Sequence, residues 1–127
     1  MRSMADFEHV IESYDVRDQL DDIASADPAA YLHRCFAEGI SAPALSWPRV
    51  QQLAVCAMVL DAIVNDRDYE ILERELIADW RVHYAKACLK MKDLSLQALR
   101  RVLEHERPKD ADAAAELETL VNRLAGT

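Results

Sequence analysis

The chain reads as all-α, a bundle of about six helices, and two observations predict it. Only two glycines and four prolines punctuate 127 residues, too few turn formers for a sheet of many short strands, and no strand-length stretch alternates apolar with polar residues. The hydrophobic fraction is 51% while aromatics make up 6%, so the apolar content is mostly Ala, Leu, Val and Ile, which suits closely packed helices. At 14.4 kDa the chain has the length of one core, and a single domain over 1–127 is expected.

The first apolar positions, Phe7, Val10, Ile11 and Tyr14, fall at helical spacing. Leu20 and Ile23 continue the stripe after a break near Asp15, as one helix or two. Asp27-Pro28 signals the next start, because Asp accepts from the free amides of a first turn and Pro has no amide to waste there. Tyr31, Leu32, Cys35 and Phe36 follow, and Gly39 is the expected stop. Residues 40–47 then read as a connection, with Trp47 in it.

From Pro48 to Asn65 the apolar residues surround the whole circumference, which predicts a helix in the middle of the bundle, most buried over Leu53 to Val64. Asp66 or Asp68 is the expected cap of a long helix carrying Tyr69, Leu72, Leu76, Trp80, Tyr84, Ala87 and Met91. Lys92-Asp93 closes it. Ser95 is the expected cap of a shorter helix with Leu96, Leu99, Val102 and Leu103, ended before Pro108. A last helix from Asp110 presents Ala113, Leu117, Leu120, Val121 and Leu124.

Residues 85–113, AKACLKMKDLSLQALRRVLEHERPKDADA, resemble the end of one tetratricopeptide hairpin and the start of the next. The resemblance is carried by Ala85 and Cys88, the turn Lys92-Asp93-Leu94, the pair Ala98-Leu99, and Pro108 before a new helix. It covers about a quarter of the chain and implies stacked helical hairpins of the kind that bind peptides and partner subunits.

Charge narrows the function. Formal net charge is −8, distributed as six Lys/Arg against sixteen Asp/Glu over 1–80, eight against three over 81–109, and one against four over 110–127. The acidic majority argues against direct binding to nucleic acid or to an anionic membrane, where a basic footprint supplies most of the affinity. No apolar run is long enough to span a bilayer, and a start containing Asp6, Glu8 and Glu12 does not look like a secretory leader, so a cytoplasmic protein is expected. The three cysteines, Cys35, Cys56 and Cys88, lack paired spacing and read as buried, reduced thiols.

Catalysis finds no support in the motifs. G-x-S-x-G, P-loop and G-x-G-x-x-G are all absent, so no activated nucleophile or phosphate cradle is presented, and no enzyme is expected. Asp79 and His83 are four apart on one helical face, but a typical metal site needs a third ligand, and neither HExxH nor paired Glu-x-x-His occurs. No metal and no cofactor is expected. The remaining class is a protein-interaction module: an adaptor, a partner-specific chaperone or a regulatory subunit.

The residues expected to meet a partner are Trp47, the type most often found as a binding hot spot, with Lys86, Lys90, Arg100 and Arg101. If their two helices form a hairpin, these four basic residues would share a face for an acidic segment of another protein or for a second copy of the chain. Two alternatives stand beside that reading: an acidic inhibitor that covers a nucleic-acid-binding surface of a target, and a small metal-binding bundle.

Overall fold

The computed structural model describes residues 7–126; the reading on Asp6 and the two ends of the expected 1–127 domain lie outside them. Six helices run α1 Val16–Ala24, α2 Pro28–Ser41, α3 Trp47–Asn65, α4 Arg74–Leu89, α5 Lys92–His105 and α6 Ala111–Ala125, with no strand among the described residues. They form a compact all-α bundle. α3 is its axis and packs against α2, α4, α5 and α6. Side chains from Val50 to Ile63 on every side of α3 are buried, as an apolar circumference requires.

Local chemistry sets most of the helix starts. The side chains of Asp15, Asp27, Ser46 and Asp110 accept from the amides of Asp18, Ala30, Arg49 and Asp112, and Pro28 and Pro48 occupy first-turn positions where no amide is needed. Asp66 ends α3 in the left-handed region, at φ 55. Arg81 reinforces that end, donating to the carbonyls of Ala62 at 2.7 Å and Ile63 at 3.2 Å while pairing with Asp66 at 3.0 Å.

Several boundaries differ from expectation, each for a visible reason. Phe7 to Ser13 forms turns rather than a helix and lies across the bundle as a strap, with Phe7 and Val10 fully buried. Gly39 does not stop α2, which continues to Ser41. It is buried inside the helix because Leu53 of α3 crosses there: a Cβ at position 39 would sit 2.9 Å from both Leu53 methyls. The connection shrinks to residues 42–46, and Trp47 becomes the first residue of α3. Asp66 and Asp68 do not cap α4, since Arg81 holds the first and Arg74, at 2.9 Å, the second. α4 starts only at Arg74, leaving Tyr69 and Leu72 buried in the preceding loop, and its inner face is Ile77, Trp80 and Cys88, with Ala87 exposed. Ser95 lies within α5, its hydroxyl donating to the carbonyl of Lys92.

Candidate functional site

A groove of about 620 Å³ opens where three distant segments meet: His9, Glu12 and Ser13 from the strap, Trp47 and Gln51 from α3, and Pro108, Lys109 and Asp110 from the α5–α6 connection. Trp47 is 41% exposed on its wall, one of three large exposed hydrophobics among the described residues. Its position follows from the Ser46 cap and Pro48, which fix the first turn of α3 so that residue 47 faces outward before the helix enters the core.

The strap wall is tied down by buried polar groups. The Gln51 amide donates to the carbonyl of Glu12 at 2.9 Å. The carboxylate of Glu116, buried on α6, accepts the amide of Val10 at 2.7 Å and that of His9 at 3.3 Å. Burial pushes the Glu116 carboxyl above its ordinary value, outweighing the two amides, which favour the charged form. At the far end Phe7 meets Tyr69 edge to face at 5.4 Å and lies under the Arg123 guanidinium at 5.0 Å.

Tyr69 in turn donates to Asp61, a fully buried carboxylate on α3 that also accepts from Asn65 and Arg67, each of the three at 2.6 Å. With its oxygens occupied, Asp61 is a structural anchor for the 66–73 loop.

His9 stands between two carboxylates at the start of α6, Nδ1 3.9 Å from Asp110 and Nε2 3.8 Å from Asp112. These three residues are the only grouping of three or more metal-capable side chains close enough to share an ion among the described residues. Each imidazole nitrogen faces a different carboxylate, and the α6 N-terminus carries partial positive charge, which opposes a cation. The arrangement places a polar cluster between the strap and the start of α6, with no hydrogen bond from the imidazole to either carboxylate. No motif could have flagged it, because its partners lie about a hundred residues apart.

The expected basic face is not assembled. α4 and α5 do not pack along each other; α4 lies on α3 and α2, and α5 on α2, α6 and α3. Arg101 turns inward and donates to the carbonyls of Gly39 at 2.7 Å and Ile40 at 2.9 Å, capping the end of α2. Arg81 serves α3 in the same way, and Arg107 pairs with Glu118 at 2.7 Å. Arg100 points to solvent, eight residues into α5 and so about 12 Å along it from Lys92. Lys86 and Lys90 are exposed at the end of α4.

The cysteines are free thiols, all buried. The fold brings two of them together: Cys56 of α3 beside Cys35 of α2 lowers the Cys35 thiol, while burial pushes Cys56 well up. Cys88 is raised to about 11, first by burial and then by Asp27. His83 meets Asp79 at 3.4 Å, as their spacing predicts. No hydrogen bond joins a histidine side chain to a serine or cysteine among the described residues. None of their helices is long and apolar enough to cross a membrane. Compared with family models, curated proteins and solved structures, the chain finds no match.

Proposed function

We propose that the chain is a non-catalytic protein-interaction module whose docking surface is the groove at Trp47. The observation that carries this reading is the half-exposed Trp47 on the wall of a 620 Å³ groove. Exposed tryptophans beside a concave surface are the side chains that most often anchor a partner. The groove's occupant is a short segment of another protein that offers one apolar side chain to the Trp47 ring and one basic side chain to Glu12 and Asp110. Of the four basic residues expected to meet an acidic segment, Arg101 is engaged within the chain, while Lys86, Lys90 and Arg100 are exposed on helices that do not pack along each other.

The test uses the full chain and a panel of short peptides that pair leucine or phenylalanine with arginine or lysine, alongside copies with glutamate in the basic positions. NMR follows the indole N–H resonances of Trp47 and of buried Trp80 at peptide concentrations up to about 1 mM, where weak docking is visible. The basic peptides are expected to shift Trp47 and leave Trp80 unmoved, and to lose binding in a folded Trp47→Ala variant. A response to the acidic copies alone, an unaffected Trp47→Ala variant, or no shift from any peptide would overturn the reading.

A further inference from the structure

The outer side of α4 presents a second surface, independent of the Trp47 groove. Ala78, Val82, Ala85 and Leu89 are spaced by four, three and four, which aligns them in one stripe. The stripe lies roughly a third of a turn away from the inner face of Ile77, Trp80 and Cys88. Val82 is 79% exposed and Leu89 60%, the other two large exposed hydrophobics among the described residues. A solvent-facing edge helix has no structural need for such a seam.

The flank of this stripe carries an ordered set of charges. Glu75 and Asp79 occupy its first half, Lys86 and Lys90 its second, and all four are exposed. Asp79 meets His83 of its own helix at 3.4 Å, whereas Lys86 and Lys90 make no ion pair with a described residue. This order is self-complementary only when two copies run in opposite directions. Around a two-fold axis near the middle of the seam, Asp79 meets Lys86 of the second copy and Glu75 meets Lys90 of the second copy, each pair occurring twice. The same axis sets Ala78 against Leu89 of the second copy and Val82 against Ala85 of the second copy, so small residues face larger ones on both sides. A parallel pair would instead align acid with acid and base with base.

We infer that α4 is a self-association surface, and that its occupant is α4 of a second copy of this chain packed antiparallel across a two-fold axis. A contact confined to one helix pair falls short of the ~1,600 Å² of a standard interface, so the dimer is weak and concentration-dependent.

Sedimentation of the full chain from about 10 μM to about 1 mM tests this, since weak pairs populate over that range. The wild type is expected to pass from monomer toward dimer. Val82→Glu is expected to remain monomeric with an unchanged helical circular dichroism spectrum, its side chain being exposed. Asp79→Lys and Lys86→Glu are each expected to weaken self-association by about tenfold or more, because each sets like charges opposite one another twice. Mixed one to one, these two variants are expected to associate again, since every pair is then of opposite charge. Trp47→Ala is expected to leave the dimer intact, which separates this inference from the groove. A wild type monomeric throughout, a Val82→Glu variant that still dimerises, or a mixture that stays monomeric would overturn it.

Discussion

Replacing Arg101 with alanine removes two charge-assisted hydrogen bonds, at 2.7 and 2.9 Å, from carbonyls in the last turn of α2. Bonds of this type contribute ~1.5–3 kcal/mol each when protected, and a cation at a helix C-terminus adds ~0.3–1 kcal/mol. The site is only partly buried, so water replaces part of what is lost, and the net cost is about 2 kcal/mol. For a chain of this size that lowers Tm by about 7 °C. Arg100→Ala is the internal control: the neighbouring residue has the same charge but is exposed and makes no ion pair with a described residue, so its cost is within about 0.5 kcal/mol. Urea and thermal unfolding followed by circular dichroism measure both. Equal and small losses would show that the carbonyl contacts contribute nothing to stability and that Arg101 is free to serve a partner after all.

Gly39→Ala sets two effects against each other: alanine gains about 1 kcal/mol of helix propensity, while its Cβ comes 2.9 Å from both Leu53 methyls in a fully buried contact. Overpacking wins, and the urea midpoint is expected to fall by the equivalent of about 1 kcal/mol; a higher midpoint would refute the close-approach role. Glu116, raised by burial, binds its proton more tightly folded than unfolded, so its contribution is fully present below the unfolded value and is lost as pH rises through the folded one. The stability of the wild type relative to Glu116→Gln should therefore shrink as pH rises above about 4, and a difference that is flat or grows with pH contradicts the assignment.

What the sequence disclosed was local. Asp27-Pro28 and Asp110 announce helix starts because a cap is a contact across three residues or fewer, and the all-round apolar pattern of Leu53 to Val64 announces burial because burial acts on each position separately. The misread positions depend on contacts across the fold. Gly39 looks like a stop until Leu53 arrives beside it, and Arg101 looks like a surface charge until the end of α2 is set 62 residues away along the chain. Trp47 was legible as a candidate, but the groove beside it was not, since its other walls come from residues 9–13 and 108–110. Cys35 and Cys56 likewise reveal their pairing only when α2 crosses α3.

Because α3 is enclosed on every side from Val50 to Ile63, that span has no solvent face on which substitutions are harmless. On an amphipathic helix such as α5 or α6, tolerance to polar replacement rises and falls with the helical repeat, since one side of each turn meets water. Between Val50 and Ile63 that rhythm vanishes, and nearly every position is expected to reject polar residues alike. The exceptions in composition follow the same logic: Gln51 and Asp61 are polar, buried, and supplied with partners on the strap and on the 66–73 loop. They therefore act as address labels, fixing which segment closes over each end of a helix whose apolar surface alone could be covered in many ways. The strap that walls the Trp47 groove is held in register by one of the two.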